Sequence, residues 1–200
     1  SYIGEYLLKT YNCYFIGVDL NYEMLVTLKK YLDSKGYKKY ILIHADINQL
    51  PIKNETIDYI YGGGVIEHLP DTKHILKELY RVLKKGGVSF NTIPAFNLWW
   101  LIRFYNNIPS LPGLKQLFEF IHIKVLKEKI LSKYYGYELS YIPIQLWSLH
   151  NELHFKHIHT GPFTINPDPK KLHNLALATV YRILSSNILT CPVYYVYGVK

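Results

Sequence analysis

Residues 14–19 read Tyr14-Phe-Ile-Gly-Val-Asp19, and they begin a series of four segments that decides the fold. The other three are His44-Ala-Asp46, Gly64-Val-Ile-Glu-His68-Leu69 and Leu83-Lys-Lys-Gly-Gly87. The first three lie at or just after the ends of short apolar runs, which are typical of buried parallel strands. The fourth closes an amphipathic segment. Strands that alternate with helices in this way predict an α/β fold with a parallel sheet.

The residues around these segments predict the individual elements. A helix over residues 3–11 comes first, Asn21 caps a second helix and Asp71 caps a third, which Gly86-Gly87 closes. Strands are predicted over residues 14–18, 40–45, 57–61 and 88–93. The inward faces of the second and third helices comprise Met24, Leu25, Leu28, Tyr31 and Leu32, and Ile75, Leu76, Leu79, Val82 and Leu83.

The alternation stops at Ala95, where an aromatic, lysine-containing stretch begins that continues to about residue 160. Residues 114–133 within it have the pattern of an amphipathic helix. A helix over residues 170–185 and a strand over 192–199 then return the chain to the sheet. We therefore expect a ligand-binding core over residues 1–94, an insertion or substrate cap over 95–160, and a C-terminal helix and strand over 161–200.

Composition narrows the class of protein. The chain has 200 residues, of which 49% are hydrophobic and 19% charged, as in a folded domain. Cys13 and Cys191 lie in apolar runs, so a reducing, cytoplasmic location is expected. The lysines behind the net charge of +8 are spread along the chain, which argues against specific nucleic-acid binding. No apolar run reaches the roughly 20 residues of a membrane span, although peripheral membrane contact stays open.

Polar and glycine residues stand where the predicted strands end, and ligands of parallel sheets bind at those ends. The two carboxylate oxygens of Asp19 can accept from both hydroxyls of a ribose, with helix capping as the alternative. Asp46 can accept from an adenine amine while Ile47 packs on the ring, or it is a turn residue. Gly62-Gly-Gly64 lets a ligand approach the backbone, or forms a flexible turn. His68 can contact a ligand, or serves packing.

In order and spacing, these motifs resemble the class I S-adenosylmethionine-dependent methyltransferases, in particular the ubiquinone and menaquinone biosynthesis group. The resemblance covers residues 3–94. It implies a seven-stranded, doubly wound, Rossmann-like sheet with S-adenosylmethionine as the cofactor. The residues that would bind the cofactor are Asp19, Leu20, Asp46, Ile47, Gly63, Gly64 and Val65. The implied reaction is methyl transfer to a small-molecule or lipid-like acceptor; the alternative is a non-catalytic remnant or binding module that kept the scaffold.

Catalysis of this reaction rests on positioning and water exclusion, because the methyl group leaves an activated sulfonium. A base is needed only where the acceptor must lose a proton, and His68 is the candidate. Trp99, Trp100, His154 and His157 are candidates for the substrate pocket.

The resemblance also implies a strand that this chain lacks. The first strand of the family and its Gly-rich loop precede the segment matched by residues 14–19. That strand lies between those predicted over residues 14–18 and 57–61. Its absence leaves two rows of unpaired backbone groups, each costing on the order of 1–3 kcal/mol when buried. We therefore expect an N-terminally truncated sheet, in a chain that is a fragment of the working enzyme.

The densest histidine cluster comprises His150, His154, His157 and His159. In a helix, His150 and His154 would share a face, which would allow both to bind one metal ion. However, His150-Asn-Glu-Leu-His154 has its acid at the third position, whereas a zinc protease needs it directly after the first histidine. A polar surface or a substrate pocket is the favoured interpretation, and no metal site is predicted.

Overall fold

The computed structural model describes residues 2–103, 107–121, 138–164 and 175–200. The chain divides into two compact units, Ser1–Ile52 and Lys53–Lys200. Both contain strands and helices in alternation, which confirms the α/β class. Among the described residues, no helix is long and apolar enough to cross a membrane.

The first unit contains two parallel strands flanked by helices. Its elements are helix α1 (Tyr2–Thr10), strand β1 (Phe15–Asp19), helix α2 (Tyr22–Ser34), strand β2 (Tyr40–His44) and the 3-10 helix Ile47–Gln49. Phe15 lies opposite Tyr40, and Asp19 opposite His44. Within the described residues, β1 and β2 pair only with each other. Strand β1 is consequently half-buried, not buried as predicted for residues 14–18.

Helix α2 begins where predicted and buries less than predicted. Its N-terminus is fixed by Asn21, whose Oδ1 accepts a hydrogen bond from the backbone N–H of Met24 at 3.2 Å. Leu25 and Leu32 are buried, but Met24 and Tyr31, both expected to face inward, are 58% and 41% exposed. A two-stranded sheet offers the helix only a narrow apolar surface. Leu25 and Leu32 therefore pack against it, and the residues at the sides of the predicted face stay exposed.

The second unit is built on a four-stranded mixed sheet with the order β3-β4-β8-β7. The strands are β3 (Ile57–Gly63), β4 (Leu83–Pro94), β7 (Lys156–Pro162) and β8 (Val193–Val199). Strand β3 runs parallel to β4, and β8 is antiparallel to both of its neighbours. The predicted final strand therefore exists and lies inside the sheet, between β4 and β7.

Helix α3 (Thr72–Val82) packs against β4 and supplies much of the core. Asp71 caps it as predicted, with Oδ1 accepting from the backbone N–H of His74 at 3.0 Å. The five predicted inward residues are all buried. The helix does not run to Gly86-Gly87, however, because Leu83 is already extended, with ψ 139°, and begins β4.

Shorter elements fill the predicted cap. They are helix α4 (Trp100–Arg103), strand β5 (Ile108–Pro109), helix α5 (Leu114–Phe120), strand β6 (Leu139–Ser140) and helix α6 (Pro143–Glu152). Strands β5 and β6 pair in parallel, with Ile108 opposite Leu139. Helix α7 (Leu175–Ser186) matches the described part of the helix predicted over 170–185. Of the helix predicted over 114–133, residues 122–133 lie outside the described residues.

Candidate functional site

Asp19 ends β1 with an exposed side chain. Its Oδ1 accepts a hydrogen bond from the backbone N–H of Asn21 at 2.7 Å, which fixes the carboxylate. Helix α2 is capped by Asn21 and not by Asp19, so the alternative role considered for this aspartate belongs to its neighbour. Leu20, the next residue, is 69% exposed. A held carboxylate beside an exposed apolar side chain fits the hydroxyls of a ribose and the flank of its base.

His44 holds the loop that carries Leu20. Its Nε2 lies 2.8 Å from the carbonyl oxygen of Leu20, to which an N–H at that position donates. The imidazole also meets the Tyr22 ring edge-on, with centroids 5.7 Å apart. Sequence reasoning left His44 out of the site, because its position opposite Asp19 follows from the pairing of β1 with β2, two strands that are separated in sequence.

Asp46 follows β2 at the same end of the strand pair as Asp19. Its Oδ1 accepts from the backbone N–H and from the side-chain amide of Asn48, at 2.8 and 2.7 Å. This is the turn role considered as the alternative, and it leaves the side chain exposed. Ile47 beside it is half-buried. One edge of the first unit therefore presents two exposed carboxylates with apolar neighbours.

In the second unit, β3 runs on to Gly63 instead of ending at Tyr61. A Cβ on Gly62 would collide with the Asn91 side chain, and one on Gly63 would collide with the Tyr61 hydroxyl. Gly64 has φ +71°, which favours glycine. A larger residue at Gly62 or Gly63 would thus force a neighbouring side chain to shift, and one at Gly64 would adopt a strained backbone conformation. Exposed backbone at Gly63 and Gly64 suits close approach by a ligand.

The 3-10 helix Ile66–His68 follows this turn. His68, the predicted base, is exposed, whereas Glu67 beside it is buried. Burial is the main reason that the pKa of Glu67 is raised to about 7; the charge of Glu138 adds to the rise, and the backbone N–H groups of Glu67 and Val65 and the charge of His68 oppose it. Sequence reasoning missed Glu67 and Glu138 as a pair, because they are distant in sequence and meet only through the fold.

The predicted substrate-pocket residues lie in two places. Trp100 is buried, and its Nε1 donates to the carbonyl of Asn107 at 3.0 Å, while Trp99 meets Tyr181 edge-on. His154 and His157 are exposed around the start of β7. Their assignment to a pocket stays a prediction.

The histidine cluster does not follow the helical arrangement that would favour a metal. Helix α6 ends at Glu152, and His154 has φ +66°, so His150 and His154 do not share a helical face. His150 is buried with Nδ1 2.8 Å from the Leu146 carbonyl, and burial lowers its pKa to about 4. Within the described ranges, no group of three or more His, Cys, Asp or Glu side chains is placed to hold a metal.

Comparisons with known proteins agree with this architecture. Residues 2–90 match the family model of a methyltransferase domain. The demethylmenaquinone methyltransferases of Bacillus cytotoxicus and Geobacillus stearothermophilus are 30% and 31% identical over 121 residues, 60% of this chain. These matches cover 46% and 47% of the relatives, so the matched region spans a little under half of their length.

Solved structures share the fold. One is the structure of a putative methyltransferase in complex with the Haloferax volcanii Trm112 methyltransferase activator. The alignment covers 99% of this chain and 77% of that protein, with a TM-score of 0.64 and 15% sequence identity. A second match is Haemonchus contortus phosphoethanolamine N-methyltransferase 2, in complex with phosphomonomethylethanolamine and S-adenosylhomocysteine. The alignment covers 98% of this chain and 46% of that protein, with a TM-score of 0.63 and 16% sequence identity.

Parallel strands with polar and glycine-rich ends, in a fold shared with these structures, define a Rossmann-like architecture. The family match over residues 2–90, the curated relatives and the shared fold together support a class I S-adenosylmethionine-dependent methyltransferase.

Proposed function

We propose that this chain contributes to the transfer of a methyl group from S-adenosylmethionine to a small-molecule acceptor. The observation that carries the proposal is the parallel pairing of β1 with β2, in which Asp19 lies opposite His44. This register places Asp19 and Asp46 at one edge of the first unit, each next to an apolar side chain, Leu20 or Ile47. Such an edge suits an adenosine, which combines two hydroxyls, an amine and an apolar ring.

Each residue then has a defined task. Asp19 accepts the ribose hydroxyls, Asp46 accepts the adenine amine, and Leu20 and Ile47 pack against the base. The bound cofactor supplies a methyl group on a sulfonium. The chain positions the reactants and excludes water, and His68 accepts a proton where the acceptor must lose one.

The acceptor we favour is lipid-like, as the name of the matched relatives suggests. Helix α4 supports this choice, because Leu101 and Ile102 are exposed there and Leu98 is exposed just before it. Exposed apolar side chains that cluster on one element suit an apolar ligand or a membrane surface. The family match favours an enzyme over a non-catalytic remnant. A cytoplasmic location stays a prediction.

The test is binding of S-adenosylhomocysteine to the full chain, measured by isothermal titration calorimetry. Asp19→Asn keeps the acceptor for the Asn21 N–H and removes the charge, so we expect the affinity to fall roughly tenfold to a hundredfold, the range for charged hydrogen bonds. Glu23→Gln removes an exposed charge from the first turn of α2 in the same unit and serves as the matched control. Failure of the unaltered chain to bind, or equal affinity of Asp19→Asn, would contradict the proposal.

A further inference from the structure

Five buried side-chain oxygens of the second unit have no hydrogen-bond partner in the part of the chain that the structure describes. One is Asn91 Oδ1 on β4, and the other four lie on the 3-10 helix Ile66–His68 and around strands β5 and β6. These four are Glu67 Oε2, Asn107 Oδ1, Glu138 Oε2 and Ser140 Oγ. Their residues are 3%, 1%, 6% and 0% exposed, respectively. Because nearly all buried polar groups in proteins are hydrogen-bonded, each such atom requires an explanation. Four such atoms on neighbouring segments point to a shared partner that lies outside the described residues.

Three of the four lie on one face of the β5–β6 pair. Ile108 lies opposite Leu139, and its N–H donates to the Glu138 carbonyl at 2.8 Å, so the preceding residues, Asn107 and Glu138, also oppose each other. Side chains alternate between the faces of a strand, which places Ser140 on the same face as Glu138. An amide oxygen, a carboxylate and a hydroxyl therefore lie side by side.

Glu67 adds a second carboxylate to this face. The 3-10 helix that carries it packs against β6. Burial, with the charge of Glu138, raises the pKa of Glu67, so the two carboxyl groups are within electrostatic reach. The nearby Tyr141 hydroxyl is engaged elsewhere, 2.6 Å from the Thr72 hydroxyl. Tyr141 therefore supplies no donor to Glu67 Oε2 or Glu138 Oε2, the carboxylate oxygens that have no partner among the described residues.

The chemistry of these atoms defines their ligand. Carboxylate and amide oxygens only accept hydrogen bonds, so a donor-rich group is needed, and two neighbouring carboxylates favour a positive one. A single shared proton satisfies one or two of the four atoms. A divalent metal would find only two carboxylates here, and the described residues contain no larger metal-ligand group. An ammonium group has three N–H donors and a positive charge, and it matches the set best.

We propose that Glu67, Asn107, Glu138 and Ser140 form a buried subsite that binds an ammonium group. The subsite adjoins the end of β3, since a Cβ on Gly64 would lie 3.6 Å from Glu67 Oε1. Assignment of the ammonium to the methyl acceptor rests on the proposed function. It makes the lipid-like acceptor an amine, whose ammonium group must first lose a proton, with His68 as the base, before its nitrogen lone pair accepts the methyl group.

The experiment follows the carboxyl titration of Glu67 by carbon-13 NMR in the full chain, with the resonance assigned through Glu67→Gln. Ethylammonium chloride is compared with sodium chloride at equal ionic strength. A bound cation favours the ionised carboxylate, so we expect ethylammonium to lower the midpoint by about one pH unit. Glu138→Gln should abolish this shift, and Ser140→Ala should weaken it in a less perturbed protein. Glu152→Gln is the control, because that carboxylate is exposed and paired with Lys73 at 2.6 Å.

Equal midpoints in both salts would overturn the subsite, as would a shift that survives in both Glu138→Gln and Ser140→Ala. A larger shift with magnesium chloride would overturn the ammonium assignment in favour of a metal. Binding of S-adenosylhomocysteine is measured on the same samples. If it binds while ethylammonium has no effect, only the subsite fails. If ethylammonium acts while S-adenosylhomocysteine does not bind, the subsite stands and its link to methyl transfer fails.

Discussion

The two units of this chain share the alternation of strands and helices and differ in how much they bury. In the first unit, two strands leave β1 half-buried and leave large side chains such as Tyr14, Tyr22 and Met24 exposed. In the second, the four-stranded sheet encloses Ile93 and Val196 completely, together with polar Ser89. The difference shows that the number of paired strands, more than the sequence pattern of each element, sets the depth of a core.

Core truncation should separate the units most clearly. Leu76→Ala in α3 of the second unit removes a fully buried side chain, and we expect the free energy of unfolding to fall by about 2–5 kcal/mol. Leu25→Ala in α2 of the first unit should cost less, because a thinner layer can relax around the change. Urea unfolding followed by tryptophan fluorescence reports on the second unit, which holds all three tryptophans, and circular dichroism reports on the helices and strands of both units. Lys77→Ala is the surface control. If Leu76→Ala and Leu25→Ala lowered the free energy of unfolding equally, the proposed difference between the two cores would be wrong.

The pH dependence of stability should come from the second unit. Burial raises the pKa of Glu67 to about 7, so its contribution to stability is lost as the pH rises through 7. Burial lowers the pKa of His150 to about 4, so its contribution is lost as the pH falls from 6.5 through 4. The two effects have opposite signs and offset each other between about pH 4.5 and 6.5. The shifts resolved in the first unit belong to exposed groups, Lys29, Asp33 and Tyr40.

Glu67→Gln should therefore uncover the effect of His150. We expect unfolding free energy to rise between pH 4.5 and 6.5 by up to about 3 kcal/mol, because only the unfolded state then protonates that imidazole. His150→Gln should give the opposite slope. Urea titrations at a series of pH values, read by tryptophan fluorescence, measure both. Identical pH profiles for the unaltered chain and Glu67→Gln would contradict this account.

The helix caps provide the smallest and most closely matched comparison. Asn21 and Asp71 each accept a hydrogen bond from a first-turn backbone N–H, one in each unit. Asn21→Ala and Asp71→Ala should each cost about 1 kcal/mol, with the larger loss at Asp71 because its charge also meets the helix dipole. Asp71→Asn keeps the cap and removes the charge, so it separates the two contributions. Thermal unfolding by circular dichroism measures the series, and an unchanged midpoint in Asp71→Ala would refute the cap.

Features that depend on neighbouring residues were predictable from the sequence. The Asp71 cap and the buried face of α3 follow from local spacing, and both are confirmed. The end of α3 was misplaced, because Leu83 is extended through its pairing with Ile57 in the sheet. The contact of His44 with Leu20 and the approach of Glu138 to Glu67 likewise depend on distant segments. The residues at the strand ends could be named from the sequence, but the contacts that fix their side chains and loops could not.

Strand β7 has a consequence for the behaviour of the protein in concentrated solution. Among the described strands it forms an outer edge of the four-stranded sheet, where a strand of another molecule could add. Its pairing with β8 is irregular between Lys156 and His159, and His157 has φ +48°. Pro162, its last residue, has no N–H to offer. An irregular edge with a lysine and a proline resists edge-to-edge aggregation, so β7 keeps this side of the sheet from recruiting other chains.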